Sequence, residues 1–381
     1  MSDLPRIVCV VAARPNLMKM APILHAFTAP GIMAQPVLVH AGQHYDADMD
    51  SDFFSTLDLA APDFRLEVGS ATHAVQTAEV MRRFEPVLDQ TAPAAVLVVG
   101  DVNSTLACAL TAAKKNIAVF HVEAGLRSND RSMPEEINRV LTDQVAELLF
   151  TSEASGTSNL LREGVSASRI HFVGNVMIVT LRRRLPSAPP VAQVLRDANL
   201  AGFLADGAPY ALLTLHRPAN VDQPQRLRAL LDAAARLSAD VPVLFPLHPR
   251  TRAMIREHDL AGLLDAPGLA CMQPQPYLSM LSLMQAARMV LTDSGGVQEE
   301  TTALGVPCLT LRENTERPIT VTEGSNAIAG RDPAVILALS RDILRYGGKV
   351  GRIPQYWDGH AADRIAVVIN AWLTRRHRGQ A

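Results

Sequence analysis

The chain has 381 residues, a length that suggests two domains of roughly 150 residues or more. Hydrophobic residues make up 48% and charged residues 19%, as in an ordinary globular enzyme. A formal net charge of -2 gives no electrostatic case for a nucleic-acid partner. No apolar run approaches the roughly 18 residues that cross a bilayer, and the first residues lack a signal-peptide pattern. We therefore predict a cytoplasmic protein without a membrane or nucleic-acid partner.

Short apolar runs alternate with longer amphipathic segments along the first half of the chain. The predicted strands cover residues 7–11, 37–40, 95–99, 118–122, 148–151 and 170–173. The predicted helices cover residues 72–88, 104–113, 134–145 and 155–163. Short apolar runs that are separated by helices are typical of parallel strands buried on both faces.

The same alternation restarts after residues 186–209, a segment rich in proline, alanine and glycine that we interpret as a domain junction. The predicted strands there cover residues 210–214, 243–246, 269–272, 289–292 and 308–310. The predicted helices cover residues 225–238, 277–287, 297–304 and 333–345. Two such halves predict an α/β protein with two doubly wound, Rossmann-like parallel-sheet domains that face one another across a cleft.

We place the N-terminal domain at residues 1–180 and the C-terminal domain at residues 181–359. A last helix is predicted at residues 361–375. It suits either domain, and we assign residues 360–381 to the N-terminal one.

Cofactor patterns are missing from the sequence. No GxGxxG follows the first strand and no GxxxxGK[ST] occurs, so we predict no nicotinamide and no cofactor of any kind. No HExxH or comparable spacing indicates a metal site, and we predict none. The four cysteines are scattered without a CxxC pair, which predicts reduced, buried thiols at the following positions: Cys9, Cys108, Cys271 and Cys308.

Carboxylates follow two neighbouring strands of the first half. Asp101 and Glu123 lie where these strands end, so both side chains can point into one pocket. Glu135 and Glu136 begin a helix nearby in the sequence. Clustered carboxylates in a partly desolvated pocket repel one another, which leaves a protonated acid beside an ionised base. This pattern predicts acid–base catalysis.

Structural roles are an alternative for each of these residues. Asp101 and Glu123 are equally well suited to cap helices or to pair with Arg127 and Arg139. His216 ends a strand of the second half, and a lone histidine is more commonly a buried core residue than a catalyst.

A glycine turn follows the predicted strand at residues 289–292. In Ser294-Gly295-Gly296 the two glycines let the backbone approach a ligand, and the helix that follows favours an anion such as a diphosphate. The alternative is a plain strand-to-helix turn. Glu299 and Glu300 lie one turn into that helix, where they either hold ribose hydroxyls or stabilise the helix dipole.

Arg14 stands at the start of the first helix, beside Pro15. A cation is unfavourable at a helix start, so a phosphate ligand would explain it, whereas a solvated surface arginine is the alternative.

Taken together, these motifs resemble the non-hydrolysing UDP-N-acetylglucosamine 2-epimerases, which share the two-domain GT-B architecture, over essentially the whole chain. In the first half the matching segments are Ala13-Arg14-Pro15 with Lys19, Gly42-Gln43-His44, Gly100-Asp101, His121-Val122-Glu123-Ala124-Gly125-Leu126-Arg127, Pro134-Glu135-Glu136 with Asn138-Arg139, and Val173-Gly174-Asn175. In the second half they are His216-Arg217, His248, residues 291–300, Gly305-Val306-Pro307 and Thr315-Glu316-Arg317-Pro318.

The resemblance implies roles for individual residues. The catalytic set would be Asp101, Glu123, Glu135 and His216. The residues that hold the diphosphate would be Arg14, His248, Ser294, Gly295 and Gly296. Glu300 would hold the ribose, Arg317 would assist, and Lys19 would line the same cleft. Gln43 and His44 match part of a site for a second UDP-sugar as activator. A UDP-sugar substrate and a homodimer are also implied.

The chain departs from the family at several positions. It reads Ala12-Ala13-Arg14-Pro15-Asn16 where many members have Gly-Thr-Arg-Pro-Glu. Related subgroups act on other UDP-acetamido sugars, including uronic acids, so the exact sugar stays open.

The chemistry itself restricts the mechanism. The proton on an acetamido-bearing carbon is not acidic without an adjacent carbonyl, so UDP is expected to leave first. A carboxylate then removes the proton to give a glycal, and re-protonation on the other face with return of UDP completes the inversion. Three other functions remain open: a GT-B glycosyltransferase, a hydrolysing epimerase and a non-catalytic sugar-nucleotide sensor.

Overall fold

The computed structural model describes residues 4–42, 54–205 and 207–380, with the side chains of Arg14 and of residues 377–380 left aside. The chain divides into two compact units. The N-terminal unit comprises Met1–Thr180 with Gln355–Ala381, and the C-terminal unit comprises Leu181–Pro354.

The N-terminal unit is built on a parallel sheet of seven strands in the order β3-β2-β1-β4-β5-β6-β7. Its strands are β1 Arg6–Val11, β2 Gln35–Gly42, β3 Phe64–Val68, β4 Ala95–Val99, β5 Ala118–Ala124, β6 Leu148–Thr151 and β7 Ile170–Phe172. Its helices are α1 Arg14–Phe27, α2 His73–Thr91, α3 Asn103–Lys114, α4 Pro134–Val145, α5 Ala154–Arg162 and α6 Val176–Arg184, the last of which runs into the next unit.

The C-terminal unit repeats this architecture with six parallel strands in the order β10-β9-β8-β11-β12-β13. Its strands are β8 Ala211–Thr214, β9 Val243–Pro246, β10 Leu269–Met272, β11 Met289–Thr292, β12 Cys308–Thr310 and β13 Asn326–Ile328. Its helices are α7 Val191–Asp197, α8 Pro218–Val221, α9 Pro224–Leu237, α10 Pro249–Glu257, α11 Tyr277–Ala286, α12 Gly295–Leu304, α13 Pro318–Thr322 and α14 Pro333–Tyr346. The final helix, α15 Ala361–Gln380, belongs to the N-terminal unit.

Buried apolar strands explain why both sheets could be predicted. β4 is buried at every position, and Val96 and Val98 pack with Phe84 of α2 in one core cluster. Burying such side chains contributes about 1.5–3 kcal/mol each. Each half therefore forms an all-parallel α/β unit, as predicted.

Two edge strands escaped prediction. β3 alternates between exposed and buried residues, and β13 has only three residues, so neither forms a continuous apolar run. β5 also extends beyond its predicted end at residue 122, because a register shift against β6 lets it continue to Ala124.

The predicted junction at residues 186–209 is more regular than expected. It contains α7, whose buried Val194 and Leu195 pack in a core cluster of the C-terminal unit. The division between the units falls earlier, between Thr180 and Leu181.

The four cysteines carry free thiols, but Cys271 is only partly buried, which corrects the prediction for that position. Burial raises the pKa of the Cys308 thiol to about 12. No helix in the described part of the chain is both long and apolar enough to cross a membrane.

Candidate functional site

Each sheet reverses its strand order at one point, and in doubly wound folds ligands bind beyond the strand ends at such points. In the N-terminal unit the reversal lies between β1 and β4, directly before Gly100 and Asp101. In the C-terminal unit it lies between β8 and β11, where His216 and the Ser294 turn follow the strands. The predicted site residues thus gather at two switch points, one in each unit.

Asp101 is held by two hydrogen bonds from one arginine to a single carboxylate oxygen. Arg139 of α4 donates to its Oδ2 atom from Nε at 2.9 Å and from NH2 at 2.6 Å. The guanidinium is nearly buried, whereas the Asp101 side chain is 27% exposed. The structural alternative of an Asp101–Arg139 pair is therefore present, and it leaves part of the carboxylate open to a ligand.

Glu123 is paired with a cation and also lies in a strained backbone. Lys19 of α1 donates from Nζ to Glu123 Oε2, and both side chains are largely buried. Glu123 has φ of 69°, in the left-handed region that costs a non-glycine residue about 1–3 kcal/mol. The register shift of β5 falls at this residue. Bulges of this kind re-aim side chains beside active sites. The predicted Arg127 partner is wrong, since Arg127 pairs with Asp143 and Glu163 instead.

Glu135 and Glu136 play different roles at the start of α4. Glu135 lines a cavity of about 410 Å³ together with Asn103 and Asn138. Glu136 is buried and accepts the backbone N–H groups of the loop at residues 128–129. Burial alone would raise its pKa, but these bonds and Arg139 outweigh it and lower the pKa. Glu135 is thus available for catalysis, whereas Glu136 anchors a loop.

His216 is not a buried core histidine, since 35% of its side chain is exposed. Its Nδ1 lies 3.2 Å from Asp293 Oδ1, and the fully buried Asp293 also accepts the backbone N–H groups of His216 and Arg217. Burial tends to raise the pKa of Asp293, but the bond from His216 outweighs it and the pKa is lowered. The ring of His248 lies 5.5 Å from that of His216. Burial, followed by the charge of His216, lowers the pKa of His248.

The Ser294 turn opens α12 without a side-chain cap among the described residues. The turn therefore presents backbone N–H groups at a helix start, as an anion site requires. Gly295 packs against Glu316, whose Oε1 would lie 2.9 Å from a Cβ at that position. Gly296 would place a Cβ in open space. The first glycine is needed for packing, and the second leaves room for a ligand.

Glu299 and Glu300 of α12 are both buried. Arg317 Nε lies 2.9 Å from Glu299 Oε1, and the Tyr277 hydroxyl donates to Glu300 Oε1 at 3.0 Å. Burial, with Glu299 nearby, raises the pKa of Glu300 to about 8 despite the Tyr277 bond. Neither residue is a solvated first-turn carboxylate, so the helix-dipole alternative does not explain their position.

Glu316 is a further buried carboxylate. It stands in the motif Thr315-Glu316-Arg317-Pro318, but the sequence did not predict a role for it. Arg312 lies 2.7 Å from Glu316 Oε2, and Arg217 lies 3.4 Å from Oε1. Burial opposes ionisation, but Arg317, Arg312 and Arg217 outweigh it and hold the pKa of Glu316 well below its usual range. Glu316 therefore anchors the arginines that surround the Gly295 turn.

Replacing Glu316 by glutamine should lower the free energy of unfolding by about 3 kcal/mol at neutral pH, because buried arginines lose their counter-charge. Since the carboxyl pKa is lowered by folding, this stabilisation is present at neutral pH and is lost as pH falls through the lowered pKa. Urea unfolding followed by far-UV circular dichroism measures the change. Tryptophan fluorescence does not report on the C-terminal unit, which contains Glu316, because Trp357 and Trp372 both lie in the N-terminal unit.

The matched control is Glu313→Gln, since Glu313 is 67% exposed and lies 3.7 Å from Arg331. Exposed pairs contribute little to stability, so this change should be nearly neutral. Equal effects of the two substitutions would contradict the role given to Glu316.

Some predicted residues cannot be placed. Gln43 and His44 lie outside the described residues, as does the side chain of Arg14. Other residues were missed because their roles depend on tertiary partners. Asp293 stands in a quoted motif, and Asp143 lies in a predicted helix, but nothing in the local pattern marks either as buried and multiply bonded.

Comparison with known proteins identifies what the chain is similar to. A family model described as UDP-N-acetylglucosamine 2-epimerase matches residues 32–370. A UDP-N-acetylglucosamine 2-epimerase of Methanococcus maripaludis is 40% identical over 339 residues, which cover 88% of this chain and 91% of the relative. A UDP-2,3-diacetamido-2,3-dideoxy-D-glucuronate 2-epimerase of Pseudomonas aeruginosa is 39% identical over 371 residues, covering 95% of this chain and 98% of the relative.

The fold also has close counterparts among solved structures. The crystal structure of the Methanocaldococcus jannaschii UDP-N-acetylglucosamine 2-epimerase, in complex with UDP-N-acetylglucosamine and UDP, superposes with a TM-score of 0.86. The two proteins are 36% identical, and the match covers 96% of this chain and 99% of that one. The predicted fold class is thereby confirmed.

Proposed function

We propose a mechanism from the premise that this chain belongs to the UDP-N-acetylglucosamine 2-epimerase family. It is an isomerase that inverts C2 of a UDP-N-acetylhexosamine, interconverting UDP-N-acetylglucosamine and UDP-N-acetylmannosamine. The assignment of individual residues to this reaction is our proposal. One observation carries it: two carboxylates, Asp101 after β4 and Glu123 near the end of the neighbouring β5, are each paired with a cation.

The C-terminal unit is proposed to hold the UDP group. The start of α12 would bind the diphosphate through Ser294, Gly295 and Gly296. His248, whose ring lies 5.5 Å from that of His216, would contribute a further donor. Glu300, which is protonated or ionised near neutral pH, can both donate to and accept from ribose hydroxyls. Anchoring the diphosphate stabilises the charge that develops when UDP departs.

The N-terminal unit is proposed to handle the proton at C2. UDP leaves with the electrons of the C1–O bond, and the oxocarbenium character at C1 acidifies the neighbouring C–H bond. One carboxylate of Asp101, Glu123 and Glu135 removes the C2 proton, and another group returns a proton to the opposite face. UDP then re-adds at C1. No carboxylate is assigned to one face, and His216 is proposed as the group that positions or protonates the departing phosphate.

The cations beside Asp101 and Glu123 support the role proposed for the N-terminal unit. Lys19 and Arg139 each pair with a proposed catalytic carboxylate and fix its orientation. They act as positioning residues.

One relative points to a second candidate substrate. The Pseudomonas relative acts on a 2,3-diacetamido glucuronate, so a UDP-linked acetamido uronic acid is the second candidate substrate. Its near-equal identity to this chain, 39% against 40%, is the observation that favours testing both.

Proton NMR in heavy water tests the function. Incubation with UDP-N-acetylglucosamine should replace the C2 proton by deuterium and produce the manno epimer, with UDP still attached. Release of free sugar and UDP would indicate a hydrolysing epimerase instead. Exchange only with the diacetamido uronate would select the second substrate, and binding without any exchange would indicate a sensor. A transfer of the sugar to an acceptor without exchange would indicate a glycosyltransferase.

We further propose that the enzyme is a homodimer that acts in the cytoplasm, and that Gln43 and His44 contact an activating UDP-sugar. Analytical ultracentrifugation tests the first, cell fractionation the second, and the dependence of initial rate on UDP-N-acetylglucosamine concentration the third. A hyperbolic rate curve that Gln43→Ala leaves unchanged would exclude the activator.

A further inference from the structure

A chain of charged residues, buried except at its outer end, runs behind Asp101 and Glu123 in the N-terminal unit. It consists of His121 on β5, Asp143 on α4, Arg127 after β5 and Glu163 at the end of α5. The side chains of His121 and Asp143 have no exposed surface. The mechanism above uses none of these groups, although His121 is only two residues from Glu123.

The contacts of His121 determine its protonation. Its Nδ1 lies 2.6 Å from Asp143 Oδ1, and its Nε2 lies 2.9 Å from the carbonyl oxygen of Gly100. A carbonyl oxygen accepts and never donates, so Nε2 carries a proton.

Asp143 has two further contacts. Its Oδ2 atom accepts the backbone N–H of Gly125 at 3.0 Å and lies 2.7 Å from Arg127 NH2. Arg127 in turn forms a bidentate pair with Glu163 at 2.8 and 2.7 Å. The chain thus runs from the buried His121 to Glu163, whose side chain is 29% exposed.

The other end of the chain reaches the catalytic residues. Gly100 has φ of 72°, and an added Cβ there would lie 3.5 Å from Glu123 Oε2 and 3.7 Å from Lys19 Nζ. The carbonyl that His121 binds belongs to the peptide linking Gly100 to Asp101. Fixing that peptide fixes the backbone from which the Asp101 side chain extends.

Resting on the proposed function, we propose that His121 is a positioning residue that orients the Gly100–Asp101 peptide. Asp143 holds the ring at Nδ1, and Nε2–H is the donor that acts on the catalytic side. The charged groups around it are Asp143, Arg127 and Glu163 on one side, and Asp101, Glu123 and Lys19 near Gly100 on the other. No proton moves through His121 during turnover.

Two isosteric substitutions separate its two bonds. In His121→Gln the amide nitrogen takes the place of Nε2 and keeps the bond to Gly100. In His121→Asn it takes the place of Nδ1, keeps the bond to Asp143 and loses the one to Gly100. We expect kcat to fall by about 10–100-fold in His121→Asn, with KM little changed, because a small misplacement of catalytic groups has effects of that size. His121→Gln should recover most of that loss. Equal kcat values for the two variants, or a loss that follows only their thermal stability, would overturn the proposal.

A spectroscopic measurement on the unmodified protein keeps the test independent of whether the variants fold. With nitrogen-15-labelled histidine, the His121 ring is assigned through its own backbone resonances. Nε2 should show the shift of a protonated, hydrogen-bonded nitrogen, because the carbonyl oxygen of Gly100 can only accept. An unprotonated Nε2 would overturn the proposal. This result does not depend on which sugar is epimerised. The deuterium exchange of the unmodified enzyme tests the proposed function separately, so a failure of that function is distinguished from a failure of the His121 proposal.

Discussion

Replacing Glu123 by glutamine is expected to lower kcat for epimerisation by at least about 10³-fold, within the range that general acid–base groups contribute. Glutamine has nearly the same shape as glutamate, so its oxygen can still accept from Lys19 Nζ. It can neither accept nor deliver a proton at C2. The rate of deuterium incorporation at C2, followed by proton NMR in heavy water, measures the loss directly.

The affinity for UDP should stay unchanged in this variant, because the proposed diphosphate site uses residues of the C-terminal unit. Calorimetric titration with UDP checks this. Glu79→Gln is the matched control. Glu79 also pairs with basic residues, Arg82 and Arg83, but it is partly exposed and lies within helix α2, not at the end of a strand. If Glu123→Gln keeps more than a tenth of kcat, the assignment of Glu123 to proton transfer is wrong.

Replacing Gly296 by alanine should raise the Kd for UDP by about 100-fold without lowering thermal stability. An added Cβ meets no protein atom within 4 Å at this position, so the fold has room for it. The same Cβ would obstruct a diphosphate that approaches the start of α12. Losing one or two charge-assisted hydrogen bonds costs about 2.7 kcal/mol, which corresponds to a 100-fold rise in Kd. Titration calorimetry and a thermal unfolding curve measure the two effects.

Gly262→Ala is the control for this experiment. Gly262 lies in the short 3-10 helix Ala261–Leu264 of the same unit, and a Cβ there also meets nothing within 4 Å. Both substitutions should leave the unfolding temperature unchanged or slightly higher, because glycine-to-alanine changes at compatible sites stabilise by about 0.4–1 kcal/mol. Only Gly296→Ala should weaken UDP binding. A Kd within threefold of the unmodified protein would remove the turn from the diphosphate site.

Most of the two sheets was predictable because parallel strands buried on both faces form apolar runs that helices separate. β4 illustrates this, since all five of its residues are buried. β3 was not predictable in this way, because it is an edge strand whose residues alternate between exposed and buried. β13 was not predictable because its three residues are too few to show a hydrophobic pattern. The strand ends then located the carboxylates, since topology brings the ends of adjacent parallel strands together.

The partners of those carboxylates were less predictable. The sequence suggested Arg127 or Arg139 for Asp101 and Glu123; the Asp101–Arg139 pair is present, whereas Arg127 pairs with Asp143 and Glu163. Helix α4 shows why. Its charged residues Glu136, Arg139 and Asp143 are buried, whereas Ile137 and Leu141 are 41% and 46% exposed. Periodicity analysis assumes that the apolar face of a helix points inward, and here the polar face does so.

The left-handed backbone at Glu123 also affects how this enzyme can be engineered. A stability-guided redesign would favour glycine at this position, since glycine adopts φ of 69° without steric cost. Such a design would relieve the backbone strain, but it would leave the largely buried Lys19 without its counter-charge and discard the carboxylate on which turnover is proposed to depend. Libraries of this enzyme are therefore better built with position 123 held constant.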